Sequence, residues 1–264
     1  MKFIFWKLTS GIAKKTGVCR HKDAQISYQV YGSGEAVVLL HGGLSNKLCW
    51  FSQIPFLVKN GRQVILVDTR GHGRSTMGAE TLTYQLFAED VVLIMDRLLL
   101  RQSDIVGWSD GGITALVIAR DYPDRAKRII AISANTSPQG LTMKAQRLLA
   151  TKYISAASWL RSKWSGSGRY FGQLDKNIRH IWSLPNLQDS DLSGIQLPVL
   201  VVVGDDDVVT VEHSKQISGL LQLGQFVVIK GGGHATPMTH STRMNQLIQQ
   251  FLKFDNTQSR KHSD

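Results

Sequence analysis

Residues 104–112 read DIVGWSDGG, and the turn that they predict decides the fold. The segment 107–111 matches G-x-S-x-G, directly after apolar strand residues and directly before a helical pattern. Glycines are needed where a sharp strand-to-helix turn crowds the backbone, and such a turn strains the dihedral angles of the central residue. The sequence therefore predicts a tight turn that pushes the Ser109 hydroxyl into the open.

Short apolar runs, typical of strands buried on both faces of a parallel sheet, lie on both sides of this turn. Helical patterns separate them, and apolar residues fall on one helical face at 87–98 and 244–252. This alternation predicts a mostly parallel α/β sheet flanked by helices, which binds ligands at the carboxyl ends of its strands. The first candidate strand, 25–31, alternates apolar and polar residues. The apolar runs that follow it are 36–40, 64–67, 105–106, 129–132, 199–203 and 226–229.

One segment interrupts the alternation. Between the candidate strands 129–132 and 199–203 lie two helical patterns, at 143–164 and 170–182, with many aromatic residues. We predict a helical lid insertion over the sheet. The predicted organisation is a basic N-terminal extension (1–24), one domain (25–254) with its lid at about 137–190, and a polar tail (255–264).

Composition narrows the class of protein. The 264 residues are 42% hydrophobic and 19% charged, which excludes a disordered or fibrous chain. No apolar run approaches the roughly 20 residues that span a bilayer. The two cysteines, Cys19 and Cys49, lack metal-ligand spacing, so we expect no disulfide framework and no metal site. We read no secretory signal at the N-terminus and expect a reducing, cytoplasmic location.

The net charge of +11 is unevenly placed. Residues 1–24 carry six Lys or Arg against one acid, and residues 137–185 carry eight against one. Neither segment resembles a nucleic-acid-binding motif, so we predict solvated surface and no nucleic-acid partner. The apolar and basic N-terminal segment could contact a membrane surface, but we favour a segment that docks onto the domain or is disordered.

A serine hydroxyl becomes a useful nucleophile when a base within hydrogen-bond reach takes its proton and a carboxylate orients that base. Among eight histidines, His234 is the best-placed base, because it lies in the flexible loop KGGGHATP (230–237) just after the last strand. His41 and His72 also follow strands. Each sits in a glycine-rich turn, where shaping of the backbone is the simpler explanation.

Three adjacent acids, Asp205, Asp206 and Asp207, follow the strand at 199–203 and supply candidates for the orienting carboxylate. Because adjacent acids repel one another, we expect one to be buried against a histidine while two stay solvated. Spacing alone does not choose among the three. The chain order of serine, acid and histidine is that of an α/β-hydrolase.

The chain resembles the α/β-hydrolase family over about residues 24–254. The resemblance implies the triad Ser109, Asp207 and His234, since the family's acid comes three positions after the strand-ending glycine. It also implies an oxyanion hole from the amides of Asp110 and Gly43, or with less support Leu44. The motifs that carry it are LLHGG (39–43), DTRGHGRS (68–75), GWSDGG (107–112), PVLVVVGDDD (198–207) and GGGHATP (231–237).

Two further implications concern individual residues. Asp68, Arg70 and His72 resemble the family's structural turn, in which an Asp-Arg pair holds loops together. The segment 107–116 most resembles the valacyclovir-hydrolase, or biphenyl-hydrolase-like, branch, in which the acid after the nucleophile serves substrates with a free α-amino group. We therefore assign substrate binding to Asp110 and Trp108. The alternative for Asp110 is a carboxylate favoured by the helix dipole.

The sequence predicts a cofactor-free and metal-free serine hydrolase that cleaves a small-molecule carboxylic ester, which could be an amino-acid ester or a thioester. Two alternatives remain. One is a non-catalytic ligand-binding or receptor protein on the same fold. The other is a carbon-carbon bond hydrolase or lyase that uses the same triad. Trp182 and the other aromatic residues of the insertion could line a pocket, although core packing is the use that we favour for most of them.

Overall fold

The structure is a computed structural model that describes residues 12, 14–150, 171–184 and 187–253. Residues 1–11 of the predicted extension, the centre of the predicted lid and the whole predicted tail lie outside these ranges. No helix within them is long and apolar enough to cross a membrane.

The described residues form one sheet of eight strands in the order β1-β2-β4-β3-β5-β6-β7-β8. β2 pairs antiparallel with β1 and with β4, and every other pair is parallel. The predicted mostly parallel α/β sheet is therefore confirmed. The strands are β1 (Lys14–His21), β2 (Ala24–Tyr31), β3 (Glu35–Leu40), β4 (Arg62–Val67), β5 (Ser103–Trp108), β6 (Ala126–Ile132), β7 (Val199–Gly204) and β8 (Gly224–Ile229).

Helices connect the parallel strands and cover both faces of the sheet. A short 3-10 helix (Lys47–Trp50) follows β3, and the insertion between β6 and β7 contributes three of the described α-helices. The α-helices are α1 (Gln53–Lys59), α2 (Tyr84–Arg97), α3 (Asp110–Asp121), α4 (Met143–Ala150), α5 (Phe171–Trp182), α6 (Asp189–Ser193), α7 (Val211–Leu220), α8 (Thr236–Thr239) and α9 (Ser241–Leu252).

The first strand corrects the predicted domain boundary. Residues 14–21, which we assigned to the N-terminal extension, pair along their whole length with β2. Cys19 is buried, whereas Val18 is about half exposed. A basic edge strand with so little buried apolar surface has no alternation for sequence analysis to detect, and its charges protect the edge from further pairing.

The core occupies both faces of the sheet. Every residue of β5 is buried. Neighbouring positions point to opposite faces, so Ile105 packs in the cluster that contains α2 and α3, whereas Val106 packs in the cluster that contains α1 and α9. This burial on both faces produces the continuous apolar runs of the sequence. Because these strands are parallel, their carboxyl ends lie at one rim of the sheet.

Candidate active site

The turn after β5 holds Ser109 in an unusual conformation. Its φ of 55° and ψ of −121° lie in a region that residues with side chains rarely adopt. A Cβ atom at Gly107 would collide with the carbonyl oxygen of Gly111, and one at Gly111 would collide with that of Leu40. Glycine is therefore required at both motif positions, and the serine stands half-exposed at the rim.

His234 lies within hydrogen-bond distance of this serine. The loop after β8 carries the imidazole, whose Nε2 is 3.0 Å from Ser109 Oγ. The other ring nitrogen, Nδ1, is 2.8 Å from Asp207 Oδ1. Because a carboxylate only accepts hydrogen bonds, Nδ1 carries the hydrogen and Nε2 is free to accept from the serine hydroxyl. His234 is thus oriented as a general base requires.

Asp207 is the buried member of the three adjacent acids, whereas Asp205 and Asp206 are exposed, as the sequence predicted. The Ser133 hydroxyl donates a short hydrogen bond to Oδ2, and the amide of Val209 donates to Oδ1. Burial acts to raise the pKa of Asp207, but its hydrogen bonds and the nearby imidazole outweigh this and hold it below the usual value. The carboxylate is therefore ionised at neutral pH.

The two residues whose amides we predict for an oxyanion hole, Gly43 and Asp110, lie next to each other at the nucleophile turn. Asp110 is the first residue of α3, where amide hydrogens have no acceptor within the helix. Gly43 lies in the turn after β3, and a Cβ there would collide with the Asp110 carboxyl. The Leu44 amide, the less favoured candidate, donates instead to His72 Nε2 at 3.0 Å. This bond engages Leu44 and leaves Gly43 as the better donor.

The side chain of Asp110 is buried against two ring donors. Its Oδ1 accepts from the Tyr84 hydroxyl at 2.9 Å and from the Trp182 indole at 2.7 Å. Its Oδ2 is buried without a hydrogen-bond partner among the described residues. Burial raises the pKa of Asp110 to about 6, against the effect of both donors. The site therefore contains a carboxylate oxygen with unused capacity to accept.

A cavity of about 220 Å³ opens onto the serine. Its walls are mostly apolar and combine the nucleophile turn, the loop after β7 and the insertion. Trp182 lines it, so this aromatic residue of the insertion does face the pocket. Trp108, to which we assigned substrate binding, is not among the described lining residues, and its indole donates to the carbonyl oxygen of His234. The lining residues are Ser109, Asp110, Asn135, Leu141, Ala145, Trp182, Val208, Val209 and His234.

Comparisons with known proteins find similar sequences. Residues 35–153 match the model of the alpha/beta hydrolase fold family. The mouse protein serine hydrolase BPHL is 27% identical over 93% of this chain and 89% of its own length. A putative non-heme chloroperoxidase from Synechocystis is 26% identical over 86% of this chain and 95% of its own length. The chain has the α/β-hydrolase fold, and its sequence is similar to members of that family.

Solved structures extend this likeness to the whole fold. Est816, described as an N-acyl homoserine lactone degrading enzyme, matches with a TM-score of 0.74 and 26% identity over 89% of this chain and all of its own. The carboxylesterase CesB from Bacillus subtilis matches with a TM-score of 0.77 and 20% identity over 95% of this chain and 97% of its own. At that identity CesB supports the fold alone.

The turn after β4 departs from its predicted pairing. Asp68 forms a buried ion pair with Lys47 and accepts from the Arg74 amide. Arg70 pairs instead with Asp90 of α2, at 2.7 Å. The turn thus joins two different neighbours, and the predicted pairing of Asp68 with Arg70 is wrong.

Several supporting residues escaped sequence analysis. Ser133 directly follows β6, has a φ of 52° and supports Asp207, while Tyr84 and Trp182 support Asp110. No local pattern marks these residues, because each acts on a partner that is distant in the chain. A polar residue that follows an apolar strand, as Ser133 follows 129–132, is the one signal that could have pointed to the rim of the sheet.

Proposed function

We propose that this α/β-hydrolase cleaves a carboxylic ester through an acyl-enzyme on Ser109. The observation that carries the proposal is the line of hydrogen bonds from Ser109 Oγ to His234 Nε2 and from His234 Nδ1 to Asp207, at 3.0 Å and 2.8 Å. A strained nucleophile that faces a cavity and contacts an oriented base has the parts of a serine hydrolase.

The reaction follows from this proton arrangement. As Ser109 Oγ attacks the carbonyl carbon, His234 Nε2 takes the hydroxyl proton and the carbonyl π electrons move to oxygen. Collapse of the tetrahedral intermediate breaks the bond to the leaving alkoxide, which receives that proton from Nε2. A water molecule then gives a proton to His234, attacks the acyl-enzyme and releases the carboxylic acid with the serine restored. Asp207 stabilises the imidazolium of both steps.

The developing oxyanion would be held by the amides of Gly43 and Asp110. Donors that are already in place when charge develops lower a barrier by about 3 kcal/mol each. Since the base, its orienting acid and the oxyanion donors all come from the protein, this scheme needs no metal and no cofactor.

Esters are the favoured class because an alkoxide leaves more readily than an amine. Est816 is described as degrading an N-acyl homoserine lactone, and a lactone is a cyclic ester, which supports an ester substrate for this chain. Ala145 and Trp182 of the insertion help to wall the cavity, which supports a lid role for that segment. The same fold could also hold a ligand without turnover or cleave a carbon-carbon bond, and these outcomes are separated by experiment.

A fluorophosphonate probe tests the mechanism. We expect the wild type to be labelled at Ser109, the Ser109→Ala variant to be unlabelled, and the matched variant Ser190→Ala, on the exposed helix α6, to react like the wild type. A folded wild type that resists the probe would favour the non-catalytic alternative. Turnover of a panel of esters, thioesters, amides and vinylogous diketones by the unlabelled wild-type enzyme then defines the bond that is cleaved.

One observation favours a narrower substrate, an ester with a free α-amino group. Asp110 Oδ2 is buried, has no described partner and lies beside Gly43, close to where the substrate carbonyl would sit. An ammonium group next to the carbonyl would pair with this oxygen. The serine hydrolase mechanism does not depend on this pairing.

The test compares amino-acid esters with their N-acetyl forms. We expect kcat/KM to be about ten- to hundredfold higher for the free amine, and Asp110→Asn to remove most of the difference. The preference should increase as pH rises through about 6, where Asp110 becomes charged. Equal kcat/KM for both forms would end the amino-group proposal and leave ester hydrolysis standing.

A further inference from the structure

Two buried histidines enclose the turn that carries the candidate oxyanion donor Gly43. His41 is the first residue after β3, and His72 follows β4. Both are about 1% exposed, and neither touches the nucleophile or the cavity among the described contacts. Their ring centroids are 5.1 Å apart. The triad mechanism uses neither imidazole, so their burial calls for another explanation.

His41 holds the peptide unit that contains the Gly43 amide. Its Nδ1 is 2.7 Å from the carbonyl oxygen of Gly42, and its Nε2 accepts from the Thr69 amide at 3.1 Å. Since Nε2 accepts, Nδ1 carries the hydrogen and donates to Gly42. The Gly42 carbonyl and the Gly43 N–H belong to one planar peptide, so a bond to the former orients the latter. The bond also polarises that N–H.

His72 holds the next peptide unit. Its Nε2 accepts from the Leu44 amide at 3.0 Å, and its Nδ1 donates to the Arg70 carbonyl at 2.8 Å. Leu44 has a φ of 57°, a left-handed conformation that costs free energy for a leucine. The hydrogen bond from Leu44 to His72 compensates for this strain. Both peptides that flank the Gly43 Cα atom are thus held by imidazole rings.

The two rings act as acceptors only when they are neutral. Thr69 Oγ1 lies 3.3 Å from His41 Nε2 and 3.0 Å from His72 Nδ1, and so links them. Burial lowers the pKa of both rings, that of His72 to about 3, although the Asp68 carboxylate acts in the opposite direction. Lys47, which pairs with Asp68, disfavours a second positive charge at His41. Both imidazoles are therefore neutral around pH 7.

We propose that His72 is a positioning residue of the oxyanion hole: its Nε2 holds the Leu44 amide and thereby aims the Gly43 N–H at the substrate carbonyl. His41 fixes the same N–H from the preceding peptide. This inference rests on the proposed function, because it assigns the Gly43 amide to the oxyanion. His72 itself does not touch the substrate.

Replacement of the acceptor provides the test. His72→Phe keeps a planar ring but removes the acceptor, whereas the amide oxygen of His72→Gln can take the place of Nε2. We expect His72→Phe to lower kcat ten- to hundredfold with less than about a threefold change in KM, because the oxyanion forms only in the transition state. His72→Gln should recover at least a third of the lost rate. A trifluoromethyl ketone, whose hemiketal oxyanion occupies the hole, should lose affinity in parallel with kcat/KM.

His213 supplies a matched control. Its Nε2 also accepts a backbone amide hydrogen, from Thr136 at 3.1 Å, but it lies outside the described lining of the catalytic cavity. His213→Phe should leave kcat within about twofold of the wild type. Unchanged kcat in His72→Phe, or an unchanged ketone affinity beside a lowered kcat, would overturn the proposal.

Wild-type protein gives a second test that needs no variant. Nitrogen-15 NMR of histidine-labelled enzyme should assign His41 and His72 as neutral tautomers with the hydrogen on Nδ1 at pH 7. A hydrogen on Nε2 of His72 would overturn the proposal even if every variant failed to fold. Resistance of the wild type to the fluorophosphonate probe would instead contradict the proposed function, and these NMR signals would be unaffected.

Discussion

The indole Nε1–H of Trp108 donates a 2.7 Å hydrogen bond to the backbone carbonyl of His234. The two rings also pack against each other, with centroids 5.6 Å apart. The residue before the candidate nucleophile therefore holds the loop that carries the candidate base. This contact joins two turns of the rim directly.

Loss of that bond should affect the rate more than binding. We expect Trp108→Phe to lower kcat about tenfold with little change in KM, because a small displacement of His234 weakens its contact with Ser109. Steady-state kinetics on the best ester of the panel measures the effect. Trp50→Phe is the control, since the buried Trp50 indole has no hydrogen-bond partner among the described residues. If both variants lose kcat equally, the hydrogen bond is not the cause.

Ser133 should tune the candidate acid. Removal of its hydroxyl in Ser133→Ala takes one donor from Asp207, so the pKa of that carboxyl should rise. Because the pKa of Asp207 is lower in the native state than its ordinary value of 3.8, this carboxyl stabilises the fold at pH values above 3.8. That stabilisation is lost as the pH falls through the native pKa. We expect the variant to lose about 1 to 2 kcal/mol at pH 7 and to unfold at a higher pH during acid titration. An unchanged acid midpoint would contradict this role.

Asp110 should show the opposite dependence on pH. Its native pKa of about 6 lies above the ordinary 3.8, so between these values the native state binds more protons than the unfolded state. Stability contributed by this group is present at low pH and falls as pH rises through 6, by roughly 3 kcal/mol in all. Asp110→Asn should therefore match the wild type near pH 4 and exceed its stability above pH 6 in urea titrations. If the variant and the wild type differ in stability by the same amount at both pH values, burial of the Asp110 charge does not destabilise the fold.

Backbone strain at Ser109 should make a glycine variant more stable than an alanine variant, the reverse of the usual order. Glycine is normally less favourable than alanine in an ordered position, but a φ of 55° with a ψ of −121° suits glycine far better. We expect Ser109→Gly to be more stable than Ser109→Ala by about 1 to 2 kcal/mol, with both inactive. Thermal unfolding of the two variants provides the comparison. A more stable alanine variant would mean that the turn relaxes when the hydroxyl is lost.

The sequence predicted the parts of this fold that depend on local burial. The strands β3 to β7 have apolar runs because both of their faces are covered. Ser109 and His234 were found because each follows an apolar run. The strand β1 was missed, since Cys19 is its one buried residue. Repulsion among the three adjacent acids predicted that one would be buried and two would stay solvated. The choice of Asp207 as the buried acid depended on the family resemblance.

The supporting contacts depend on the three-dimensional arrangement of distant segments. Ser133 reaches Asp207 because β6 and β7 lie side by side, and Tyr84 reaches Asp110 because α2 packs on α3. Neither pairing follows from spacing along the chain. The partners of Asp68 and Arg70 were assigned wrongly for the same reason, since a motif fixes residue types but not the neighbours that tertiary packing supplies.

Ser109 and His234 are 125 positions apart, and the base is carried by the loop after β8, a strand that pairs only with β7 within the described sheet. The nucleophile turn is thus synthesised well before the loop that carries the base. Because the base follows the edge strand β8, local unfolding of that strand would abolish activity while most of the core remained folded. Loss of activity should therefore detect local unfolding at this edge of the sheet.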